Sequence, residues 1–200
     1  MLFRIALLSG LLGISGIVYG QQASTTCRLT ISEFPAVRGL RINQTPKTLF
    51  QRWPSFESLY RQADARRTSG DPVILKIYSG AHKTIWESDP SLDGVIGISF
   101  WFEVGQLDNF EITYSNYVPQ SMQGWIDQAA PPLHLPITGW DLSRKDRATL
   151  TCQGFGVTLS SSGPSIVSLG EGTTPLNYPA LRIWSTDSTT LRRRARKFQP

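Results

Sequence analysis

Ile96-Gly97-Ile98-Ser99-Phe100-Trp101-Phe102-Glu103-Val104-Gly105-Gln106-Leu107-Asp108-Asn109-Phe110-Glu111-Ile112-Thr113-Tyr114 reads as two strands joined by a turn. Ile96, Ile98, Phe100, Phe102 and Val104 alternate with Gly97, Ser99, Trp101 and Glu103. A strand sends successive side chains to opposite faces, so one face here is apolar and the other mostly polar. Gly105 turns the chain, and Leu107 leads into a second run through Phe110, Ile112 and Tyr114. An antiparallel hairpin with one face on a core follows from this pattern.

Upstream, Val73–Tyr78 is a β-rich run ended by Ser79-Gly80, and the segment to Gly94 reads as a loop with a short strand around Thr84–Trp86. Before it come two helices. Thr45 is an N-cap type and Pro46 suits the first helical position. Leu49, Phe50 and Trp53 form an apolar stripe, and Pro54 stops the helix. Phe56 to Arg66 continues as a second helix, closed by Ser69-Gly70-Asp71-Pro72. Downstream, Ser121 to Ala130 carries Met122, Trp125 and Ile126 at helical spacing before Pro131-Pro132. Ala148 to Ser160 reads as one strand containing Cys152, with Pro164 to Leu169 as its hairpin partner and Leu181–Trp184 as an apolar knot in loop. Helices and strands in clumps, without a strict βαβ rhythm, predict an α+β fold: an antiparallel sheet with short helices on one face.

The run Arg38-Gly39-Leu40-Arg41-Ile42-Asn43-Gln44-Thr45-Pro46, with Leu49 and Trp53-Pro54, resembles the opening of the small exported bacterial domains typified by BamE (SmpA/OmlA). Ile98–Phe102 with Gly105-Gln106-Leu107 is similar to that family's closing strands. Asn43 stands where the family has glycine and Gln44 where it has methionine, and no lipid-bearing cysteine follows the first segment. Asn43 can still serve a tight strand-to-helix turn, because asparagine tolerates positive φ. The resemblance implies a two-helix, three-strand scaffold extended by a further helix and hairpin. It also implies a role in envelope protein assembly by contact, without catalysis.

Both ends of the chain speak to location and charge. Arg4, the apolar run Ile5–Val18 and Val18-Tyr19-Gly20 before Gln21 read as a cleaved signal peptide over 1–20, so the mature protein is expected to be periplasmic or secreted. An apolar run of about 14 residues falls short of the roughly 20 that span a bilayer, so no transmembrane anchor is expected. Residues 21–184 then form a single α+β domain, or two similar halves at 27–118 and 119–184. The formal charge of +5 resides mostly in the basic end at 185–200, where Arg192, Arg193, Arg194, Arg196 and Lys197 face only Asp187. With its polar lead-in, that end reads as a disordered tail with weak attraction to anionic surfaces. Only Phe198 is nearby, where a single-strand binder needs several stacking platforms, which argues against nucleic acid. Cys27 and Cys152 are the two cysteines, and in an oxidising compartment they are expected to pair. Closing so long a loop stabilises by about 4–5 kcal/mol in the chain-entropy picture.

Catalytic spacing is absent from the sequence. His82 and His134 are isolated, there is no G-x-S-x-G or S-x-x-K, and a paired Cys152 cannot act as a nucleophile. No metal or other cofactor is expected. Glu103 and Glu111 are the one acidic pair, facing each other across the hairpin in this reading, and they would serve a glycan hydrolase or other cell-wall-active enzyme. Trp101 shares their polar face, and an aromatic among polar groups is a binding feature. The expected function is therefore an exported, non-catalytic binding or envelope-associated accessory protein, directed at an envelope protein or a surface glycan, with the hydrolase as the alternative.

Overall fold

The computed structural model describes residues 27–115, 120–161 and 178–186. The expected signal peptide over 1–20, the Pro164–Leu169 strand and the basic end after Thr186 lie outside them. Eleven main elements follow in order: α1 (Pro46–Arg52), α2 (Pro54–Arg66), β1 (Val73–Tyr78), α3 (Lys83–Ser88), β2 (Val95–Glu103), β3 (Gln106–Tyr114), α4 (Met122–Ala129), β4 (Asp141–Arg144), β5 (Arg147–Thr151), β6 (Phe155–Ser160) and β7 (Ala180–Ser185). The strands form one antiparallel sheet in the order β1-β2-β3-β7-β6-β5-β4, so the fold is α+β.

Local chemistry sets the helix starts. Pro46 and Pro54 each occupy a first turn, where a missing N–H costs nothing. Asn43 has φ 67°, as the turn before α1 requires, and its N–H bonds the Leu107 carbonyl across to the hairpin. Ser121 caps α4 by accepting from the Gly124 N–H at 3.0 Å.

The hairpin is the expected one, with three changes. Residue Ile96 is an extra residue in a bulge, so Val95 takes the core position and Ile96 is half-buried. Val104 and Gly105 form the two-residue turn with φ 51° and 72°, and Val104 points outward at 76% exposure. A second bulge at Asp108 restores the pattern, pairing Phe102 with Leu107 and Trp101 with Asn109. The other sequence expectations are corrected in three places. Around Thr84–Trp86 the chain is helical, forming α3 with Ile85 buried. Residues 148–160 form two strands, because the backbone turns at Cys152-Gln153-Gly154 with Gly154 at φ 85°. Leu181–Trp184 belongs to β7, a central strand and the observed partner of β6.

The core lies on one face of the sheet. Trp53, at the junction of α1 and α2, and Phe56 of α2 meet Phe100 and Phe102 edge-on or tilted, at centroid distances of 5.0–6.4 Å. Trp125 and Ile126 of α4 join the same buried cluster, which includes Phe110, Val157, Leu159 and Ile183. Asp89 pins the layer: its Oδ2 accepts from Arg52 Nε at 2.7 Å and from Trp53 Nε1 at 2.8 Å. Burial alone would raise the Asp89 carboxyl, but hydrogen bonds from Ser91 and Trp53 and the Arg52 charge hold it below the ordinary range. Cys27 and Cys152 form a disulfide that ties the start of the described chain to the turn between β5 and β6.

Ile183 is fully buried and pairs with Phe110 on one side and Val157 on the other. Ile183→Ala should therefore cost about 2–5 kcal/mol in urea unfolding. A loss under about 1 kcal/mol would show that β7 is not held at the centre of the sheet.

Candidate functional site

No described helix covers the second face of the sheet, yet polar groups are buried on it. Across its middle run three rows set by strand register. The first is Ile74-Trp101-Asn109-Trp184-Gly156, the second Lys76-Ser99-Glu111-Arg182-Thr158, and the third Tyr78-Gly97-Thr113-Ala180-Ser160. Neighbouring strands lie about 4.8 Å apart, so the Trp101 and Trp184 backbones sit about 10 Å apart with Asn109 between them. Gly156 is required where it stands: the Trp184 indole lies over it, and a Cβ there would overlap the ring.

Arg182 binds this cluster together. Its Nε donates to Asn109 Oδ1 at 3.0 Å, and its guanidinium carbon is 5.1 Å from the centre of the Trp101 ring. Asn109 is only 1% exposed and Glu111 only 8%, yet Asn109 Nδ2 and Glu111 Oε1 have no hydrogen-bond partner in the protein. Burying polar groups without partners costs about 1–3 kcal/mol each, so this pair is a standing cost to the fold. Burial pushes the Glu111 carboxyl above the ordinary range, and the opposing pull of Arg182, Lys76 and Arg147 is insufficient to restore it.

A cavity of about 470 Å³ opens beside the cluster, lined by Trp101, Glu103, Asn109 and Arg182 together with Ile74 of β1 and with Arg67 and Asp71 of the connection from α2 to β1. It lies at the end of the sheet where the β2–β3 turn meets the exposed start of edge strand β1. A second cavity of about 350 Å³, lined by Arg38, Tyr114 and Trp125, lies under α4 on the core side.

Trp101 and Glu103 therefore reach one cavity, as their shared face requires. Glu103 and Glu111 do not face each other. Register pairs Glu103 with Gln106 and Glu111 with Ser99, which leaves their backbone positions about 13 Å apart along the sheet. The Asp108 bulge is the reason, since it shifts the partners beyond the turn by one residue. Arg192, Arg193, Arg194, Arg196 and Lys197 lie outside the described residues. His82 accepts the Tyr78 N–H at Nδ1, closing the turn after β1. Among the described residues no three His, Cys, Asp or Glu side chains gather in a way that could hold a metal ion, and no helix is long and apolar enough to cross a membrane.

Asn109, Arg182 and Trp184 are site residues that sequence reasoning did not single out. For Arg182 and Trp184 a signal existed in the alternation of Leu181 and Ile183 with Arg182 and Trp184. No family model, curated protein or solved structure matches this chain.

A raised carboxyl pKa makes stability fall as pH rises from the unfolded value, about 4.3, through the folded one. Glu111→Gln removes that loss. It should leave stability below about pH 4 nearly unchanged and make the protein more stable than wild type at pH 7. Thermal melts of both proteins across this range check it, and a variant less stable at pH 7 would contradict the burial argument.

Proposed function

We propose that this is an exported, non-catalytic binding protein of the cell envelope that engages its target through the sheet face centred on Trp101. The observation that carries the reading is the buried, unpartnered Asn109 Nδ2 in the lining of a cavity walled by an indole ring, with the unpartnered Glu111 Oε1 one row behind it. A fold keeps such a cost where binding recovers it, because a ligand can supply the missing partners. The Cys27–Cys152 disulfide supports an oxidising compartment, in agreement with the signal-like residues 1–20. The resemblance of residues 38–114 to BamE-like domains supports action by contact within the envelope.

Expressed in the cells that make it, the protein should be recovered outside the cytoplasm with Gln21 at its N-terminus. Purified protein should co-sediment with envelopes from those cells. Trp101→Ala should weaken that binding at least tenfold without lowering the melting temperature by more than a few degrees. Recovery in the cytoplasm with Met1 intact, or binding indifferent to Trp101, would overturn the proposal.

A further inference from the structure

Resting on that binding reading, we infer that the target is a saccharide, held by a hydroxyl pair against Asn109 and Glu111 and by a sugar ring against Trp101. Asn109 Nδ2 is a donor and Glu111 Oε1 an acceptor, both without a protein partner. Asn109 lines the cavity, and Glu111 lies one row further in, two residues along the same face of β3 and paired in register with Arg182, so a ligand that reaches the amide meets the carboxyl once Arg182 moves. A sugar hydroxyl both donates and accepts, and two adjacent hydroxyls satisfy one donor and one acceptor at once. The C–H groups of a pyranose ring carry partial positive charge that suits the negative face of an indole. Trp101 lines the cavity, and Trp184 stands on the far side of Asn109.

Other chemistries fit less well. A phosphate or phospholipid headgroup would find the Asp71 and Glu103 carboxylates in the lining, against two arginines of which Arg67 is paired with Asp64 and Arg182 is held by Asn109. An extended peptide adds to a sheet edge, whereas Asn109 and Glu111 lie on β3, which is paired on both sides. The cavity of about 470 Å³ falls in the range of small-ligand sites, which suits a short stretch of glycan. Arg182 completes the device. Its guanidinium sits against Trp101 and on Asn109 Oδ1, so it is the group that shifts when a sugar reaches the buried amide.

The test uses the co-sedimentation of purified protein with envelopes of its own cells. Part of the envelope sample is oxidised with periodate, which cleaves vicinal diols, and part is digested with protease. A saccharide target predicts loss of at least tenfold in binding after periodate and retention after protease. Asn109→Asp keeps the acceptor for Arg182 and removes the Nδ2 donor, so it should weaken binding to untreated envelopes at least tenfold with the fold intact by circular dichroism. Binding that survives periodate but disappears after protease would overturn the saccharide inference and leave the binding proposal standing. Full binding by Asn109→Asp would also overturn the inference. No co-sedimentation with untreated envelopes would overturn both.

Discussion

The structure depends on the pairing of β7 with β3 on one side and β6 on the other. β1-β2-β3 and β4-β5-β6 are two separate runs of consecutive antiparallel strands, and among the described strands β7 alone joins them into one sheet. Ile183, between Phe110 and Val157, makes that seam apolar on the core side. The same strand supplies Arg182 and Trp184 to the opposite face, so the contact that closes the core also assembles the candidate site. A disulfide between Cys27 and Cys152 reinforces the side of the sheet that β7 recruits.

The two faces follow different rules. On the helical side, aromatic contacts and the Asp89 hydrogen bonds meet the usual demands of packing and polar satisfaction. On the other side, a carboxyl and an amide are buried with unpartnered atoms, and an arginine is spread over an indole. Energetically, the first face accounts for stability and the second gives some of it up. Under the proposed binding role, the strands hold Asn109 and Glu111 in place in advance, and Arg182 is the side chain that moves when a ligand enters.

The hairpin from β2 to β3 was legible because Ile98, Phe100 and Phe102 alternate without interruption, and short-range alternation is a direct image of the pleat. The start of α1 was legible from Thr45-Pro46, and Asn43 was readable as a residue able to take positive φ. What escaped were features fixed by tertiary context. Bulges at Ile96 and Asp108 leave no compositional mark, and the second one decides where Glu111 lies relative to Glu103. The six residues of β7 are too few to stand out from loop by periodicity, and their place in the middle of the sheet is set by partners 20 or more residues away in sequence. The turn that splits β5 from β6 was hidden because Cys152-Gln153-Gly154 interrupts an otherwise continuous β-rich run. Trp101 was legible as an aromatic on a polar face. Its neighbours Arg182 and Trp184 could not be placed beside it until β7 was.

The central claim, that the Trp101 face is the recognition surface, is tested most directly by the indole N–H signals of the six tryptophans in a ¹⁵N-labelled sample. The Trp53 group is held by Asp89, that of Trp86 by the Val95 carbonyl and that of Trp140 by the Pro136 carbonyl. Addition of glycan fragments released from the envelope should shift the Trp101 and Trp184 signals in a saturable way and leave those of Trp53, Trp86 and Trp140 in place. Saturable shifts confined to Trp125, which lines the cavity on the core side, or the absence of any shift at Trp101 and Trp184, would contradict the account.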